Sequence, residues 1–326
     1  MADPRPRGPK IGTQRTTPAR WQPSVAIGAE GFVTDLDGPV HWVRWGEAST
    51  APDVPPAVFV HGLGGSHLDW SEVAPALVDH RVGYALDLRG FGLSPVGGGS
   101  RVEQQARLLV RFVDAVVGRS VRLVGHGMGA LVCLLAAQAY ASRVHSLVLL
   151  APTLPHRRTQ AGPGIARERA WHTPTGILEG LARRSHSTHS SKVTVRGYLD
   201  RVFADPRRAP SGVVERTGEL LRLRTSRPED FGDIDRAYTL AARSVHRVLR
   251  GRRRFATTLQ EIDVPVLIVH AREDRVVPAA ASRTVAMRHL HWTYVELPQG
   301  GHVPHLEDPD LLIDIIGDWW AASSAV

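Results

Sequence analysis

The 326-residue chain is short of several things at once. Its one cysteine, Cys133, rules out an intramolecular disulfide. Its setting, "ALVCLLAAQA", is an apolar helix face, where a small core residue is expected rather than a reactive thiol. No stretch reaches the roughly 18 uninterrupted apolar residues of a membrane-crossing helix. Lysine is nearly missing: of 40 basic residues only Lys10 and Lys192 are lysine, and the rest are arginine. With abundant Ala, Gly, Pro and Val, this bias points to a GC-rich coding sequence and weakens the net charge of +8 as a binding signature. Aromatics make up 6% and do not interleave with the basic residues, which argues against a single-stranded nucleic-acid groove. The opening "MADPRPRGPKIGTQRTTPARWQPS" has no apolar core of a secretion signal, and residues 1–25 read as a disordered tail. A cytoplasmic protein is the expectation. No metal-ligand spacing and no cofactor motif stands out, so neither is expected.

What is present is an ordinary globular balance, 43% hydrophobic and 22% charged, on a chain long enough to bury a large core. The charge is uneven. Residues 155–254 hold 22 basic and 10 acidic side chains, a net of +12, over a body whose net is −4. A solvated helical surface drawn in arginine explains this. It also tilts the expected small-molecule substrate toward an anionic or amphiphilic one. Oligomeric state is left open.

Along the chain, "EGFVTDLDGPVHWVRWG" reads as a hairpin turning at Asp37-Gly38. Continuous apolar strands follow in "PPAVFVHG", "VGYALDLRG", "SVRLVG" and "HSLVLLAP". Between them lie helical spacings in "LDWSEVAPALVD", in residues 102–117 and in 127–140. Such strands alternating with helices predict a parallel sheet covered on both faces. The pattern stops after Thr153, where Arg-rich helical pieces run to about Thr258. It resumes with "VPVLIVHARED", a helix near 278–288, "WTYVELPQGGH" and a last helix in "DLLIDIIGDWWAA". A helical insertion, 153–258, therefore divides one α/β core made of 26–152 and 259–326.

Sites in such sheets lie past the carboxyl ends of the strands. Past these strands stand "HGLGGSHLDW", "LRGFGLS", "HGMGA", "AREDRVVP" and "PQGGHVPHLEDP", in that order. On these five pieces the chain resembles the α/β-hydrolase family, in particular its capped esterases, C–C hydrolases and haloperoxidase-like members. The resemblance runs from about residue 30 to 322. It implies a mostly parallel eight-stranded sheet, a cap formed by 153–258, and a site for an ester, thioester or lactone-like carbonyl. It also implies Asp274 as the acid and His302 as the base, with the backbone amides of Leu63 and Met128 as the oxyanion hole. His61, His126 and His305 are expected to support loops.

The departure lies in "GHGMG". The family's nucleophile elbow is G-x-S-x-G, and Gly127 occupies the serine's place, so no acyl-enzyme can form there. Glycine fits easily, because the elbow residue sits in strained backbone space. Ser94 and Cys133 are badly placed to substitute. Three readings stay open: a serine hydrolase silenced by substitution, His302 with Asp274 working as a base on water or substrate, and a non-catalytic ligand binder under a basic cap. Gly125-x-Gly127-x-x-Ala130 also fits a dinucleotide fingerprint. The next strand, however, ends "LVLLAP" without the acidic residue such a site needs.

Overall fold

The computed structural model describes residues 16–18, 28–46, 54–78, 81–155 and 199–323. Nine strands form one sheet: β1 (Thr16–Pro18), β2 (Glu30–Asp35), β3 (Pro39–Trp45), β4 (Ala57–Val60), β5 (Gly83–Leu86), β6 (Val121–His126), β7 (Val144–Leu150), β8 (Val266–Ala271) and β9 (Thr293–Leu297). Their order is β1-β2-β3-β5-β4-β6-β7-β8-β9. β1, β2, β3 and β5 pair antiparallel in turn, and β5, β4, β6, β7, β8 and β9 run parallel. The expected count was eight. The ninth is β1, "TTP", an exposed edge strand with no apolar residue to announce it. It lies inside the segment read as a tail; residues 1–15 and 19–25 lie outside the described ones.

The β2–β3 hairpin turns where expected, with Asp37 at φ 66° and Gly38 at φ 112°, the left-handed backbone that an Asp-Gly turn supplies. The parallel strands bury both faces. Val58, Val60, Leu123 and Leu149 pack on one side with α1 (Val102–Phe112) and α2 (Met128–Ala139). Phe59, Val124, Val148 and Val269 pack on the other with Trp70 and with Leu312, Ile316 and Trp320 of the last helix. Each large side chain so buried is worth about 1.5–3 kcal/mol, and this continuous packing fixes the strand ends rigidly.

Two expected helices differ in length. "LDWSEVAPALVD" is a tight turn at His67–Trp70 followed by the one-turn helix Ala74–Leu77; its Pro75 suits a first turn, not a helix interior. The helix at 102–117 closes with a wider turn over Val113–Val117 and stops at Gly118, φ 74°. Between β7 and β8 the described residues form helices at Ser211–Ser226, Pro228–Phe231, Ile234–Arg250 and Arg252–Gln260. The expected boundary at 258 falls within the last of these. These helices are tied to the core. Ser244 Oγ accepts the Val102 amide at 2.9 Å, and Thr258 Oγ1 donates to Gln138 Oε1 at 3.2 Å. Arg224 is buried and donates to Gly90 O at 2.6 Å and to Gly92 O, pinning the loop after β5.

Candidate active site

The residues singled out in the sequence meet at the carboxyl ends of β6 and β8 and in the loop after β9. His302 Nδ1 donates to Asp274 Oδ2 at 2.8 Å. The other carboxylate oxygen, Oδ1, accepts the Val276 and Val277 amides at 2.7 and 2.9 Å, which locks the acid in its loop. Burial alone would push the Asp274 carboxyl up. His302 and the ring hydrogen bonds outweigh it and hold the group well below the usual carboxylate range. Asp274 is therefore charged at neutral pH and keeps the hydrogen of His302 on Nδ1, so Nε2 is the free face of the ring.

That face looks at Gly127. A Cβ built on Gly127 would stand 3.4 Å from His302 Nε2, at ordinary contact distance. The flanking glycines of the elbow differ. A Cβ on Gly125 would stand 2.7 Å from the Ala130 backbone, and one on Gly129 would collide with Val60 O. Gly125 and Gly129 are thus required by close packing, whereas at Gly127 a side chain has room. Gly127 has φ 54° and ψ −112°, a sharp strand-to-helix turn that a non-glycine residue would hold only under strain. Met128 begins α2, so its amide is among those with no partner inside the helix, at the positive end of the helix dipole. Leu63 lies half-buried in the loop after β4.

The supporting histidines divide into two kinds. His61 makes the loop bonds expected of it: Nδ1 donates to Gly62 O at 2.7 Å, and Nε2 accepts the Leu88 amide at 3.0 Å. His126 Nε2 donates to His302 O at 2.9 Å, and its ring lies between those of His302 and His305, 4.7 and 4.6 Å away. His305 departs from the expectation. Neither ring nitrogen has a partner, and it stacks on Trp70 at 5.0 Å as a flat core residue. Burial pushes His305 down to about 3 and His61 to about 4, and holds His126 well below its ordinary value. These rings are neutral packing pieces, not proton carriers at neutral pH. The Cys133 thiol, pushed up by burial, lies in the core, and Ser94 is fully buried elsewhere.

Sequence reasoning missed three features. His270, on β8, places Nε2 at 2.9 Å from Asp274 Oδ2. Only its spacing of four residues from Asp274 could have drawn attention to it. Glu307, also buried, accepts the Gly301 amide at 2.6 Å and the Asp205 amide at 3.0 Å. It braces the loop that carries His302. The third is a group of His41, His67 and Asp87, the one group among the described residues whose side chains lie together as metal ligands do. Asp87 is saturated by hydrogen bonds: Oδ2 accepts from both Nδ1 atoms and from the Leu93 amide at 2.8 Å, and Oδ1 accepts from the His67 amide at 2.7 Å. The two rings face it as donors, which accounts for the cluster without an ion.

With the sheet order and the geometry of the site in hand, comparison with known proteins places the fold. The α/β-hydrolase fold family matches residues 55–309, and the chain belongs to that family. Among curated relatives, it is 26% identical over 262 residues to a pimeloyl-[acyl-carrier protein] methyl ester esterase of Aeromonas hydrophila, covering 80% of this chain and 94% of that one. Among solved structures, Cfl2 from Burkholderia cenocepacia superposes with a TM-score of 0.70 at 25% identity, covering 90% and 96% of the two chains. The 2-hydroxy-6-oxo-6-phenylhexa-2,4-dienoate hydrolase of Rhodococcus sp. strain RHA1 has the same fold, with a TM-score of 0.63 at 20% identity, covering 94% and 98%.

Proposed function

We propose that this protein hydrolyses an ester-type carbonyl substrate by direct attack of water, without an acyl-enzyme. The observation that carries the reading is the 3.4 Å between His302 Nε2 and the position a Gly127 Cβ would take. A water drawn into that space stands where His302 can deprotonate it. Its oxygen bonds to the carbonyl carbon, and its proton passes to Nε2. The oxyanion faces the amides of Met128 and Leu63. Collapse breaks the carbon–oxygen bond, and the leaving alcohol takes the proton from Nε2. Asp274 stays ionised and holds the ring. A methyl ester esterase among the relatives supports the ester class. In this reading the insertion 153–258 serves as a cap, of which residues 156–198 lie outside the described ones. Arg224 reaches the Gly90 and Gly92 carbonyls, and the Val202 carbonyl accepts the His302 amide at 2.6 Å. The arginine excess of the insertion favours an anionic or amphiphilic substrate.

The test compares the parent, Gly127→Ser and His302→Ala on a panel of p-nitrophenyl esters. Turnover by the parent without a burst, lost in His302→Ala, is the expected result. A burst and turnover only in Gly127→Ser would mean a serine-hydrolase site silenced by glycine. No turnover by any form would move ligand binding ahead of hydrolysis.

A further inference from the structure

We infer that His270 is a second positioning residue of the site, sharing Asp274 Oδ2 with His302; this rests on the reading of Asp274 and His302 given above. His270 is fully buried on β8 and is not part of the proposed chemistry. Its Nε2 lies 2.9 Å from Asp274 Oδ2 and 3.0 Å from Val277 O. A carboxylate and a carbonyl are both acceptors, so Nε2 must carry the hydrogen and donate to them. Nδ1 is left facing the Ser282 hydroxyl at 2.7 Å, which can donate to it. The ring thus links β8, the acid loop and the helix Ala279–Ala286 in one direction of donation, from Ser282 through His270 to Asp274.

Asp274 then has four donors, two rings on Oδ2 and two amides on Oδ1. Oδ2 cannot rotate toward His302 without losing His270, and so the direction in which it receives the His302 Nδ1 hydrogen is fixed. The second donor also draws charge from the oxygen that His302 binds, which tempers the grip of the carboxylate on that hydrogen. A tie that merely joined strand to helix would have no effect on His302.

Long-range proton–nitrogen NMR of the histidine rings in the full chain tests this first without mutation. The expected spectrum has His270 protonated at Nε2 and bare at Nδ1. The opposite tautomer would overturn the proposal. Two variants follow. His270→Gln carries an amide to the Nε2 position, whereas the shorter His270→Asn stops near Nδ1. In His270→Asn the His302 Nδ1 resonances should move, and in His270→Gln they should stay close to the parent. Unmoved His302 resonances in folded His270→Asn, or equal movement in both variants, would sink the idea. In whichever form turns over ester, His270→Asn should lower kcat roughly ten- to a hundredfold, with KM near the parent's and recovery in His270→Gln. If the resonances behave as expected and no form is active, hydrolysis fails and this inference stands.

Discussion

Asp87 and Asp274 each serve two imidazoles, through hydrogen bonds of 2.8–2.9 Å, and yet they support different things. Around Asp87 both rings are sealed in the core, and the carboxylate stitches β3, the turn after β4 and the loop after β5 together. Around Asp274 one ring is sealed in the same way. The other, His302, keeps 9% of its surface exposed and turns its second nitrogen to the open side of Gly127. The hydrogen-bond pattern of a catalytic pair is therefore not diagnostic by itself. What separates the two clusters is where the far nitrogen of the outer ring points.

The comparison breaks most visibly in paired truncations. His302→Ala should cut the proposed activity by about 10²–10⁴ and lower stability by less than His67→Ala does, because its ring is partly exposed and Asp274 keeps three other donors. His67→Ala should lower stability by about 2–4 kcal/mol, through a cavity and a short-changed carboxylate, and leave the rate per folded molecule unchanged. Denaturant melts and ester assays on the same samples decide it; a folded but inactive His67→Ala would erase the distinction.

Acid should act next. His61 and His305 titrate in the fold at about 4 and about 3, below their ordinary 6.5. Lowered histidines contribute stability that is fully present above the unfolded value and is lost as pH falls through the window down to the folded one. Stability should therefore drop between about pH 6.5 and 3, with uptake of more than one proton, and the lowered Asp87 and Asp274 add to the loss at the acid end. A thermal midpoint flat from pH 7 to 4 would contradict the sealed, neutral rings. A smaller effect is expected in Gly127→Ser, which should cost about 1–3 kcal/mol for a non-glycine residue held at φ 54°, read from denaturant midpoints. The smallest belongs to a third carboxylate. Glu296 meets Arg272 and Arg283 at the surface, at 3.2 and 3.1 Å. Glu296→Gln should leave the melting point within scatter and any change should vanish in salt, because water screens exposed ion pairs.

The parallel strands were legible because burial on both faces leaves uninterrupted runs such as "RLVG" and "VLIVH". That Gly127, Asp274 and His302 would meet was legible because each follows a strand end in a short Gly- or Pro-bearing loop and matches the pattern of the α/β-hydrolase family. His270 was not, because it lies inside an apolar strand where a polar residue gives no periodic signal. The Asp87 cluster joins positions 41, 67 and 87 from three segments, and only sheet order brings them together. Thr16–Pro18 carries no burial pattern to read.

The turn at Gly127 also bears on how this chain can change. Glycine and serine codons can differ by a single base, and the elbow around position 127 has kept the space and the facing imidazole that a hydroxyl would need. Under the proposed function one substitution separates the two chemistries, and the step toward glycine relieves backbone strain whereas the step back restores it. Exchange of serine for glycine at such a turn is thus downhill for folding and reversible in sequence, and under the proposed function it would carry a chain between covalent and water-driven hydrolysis.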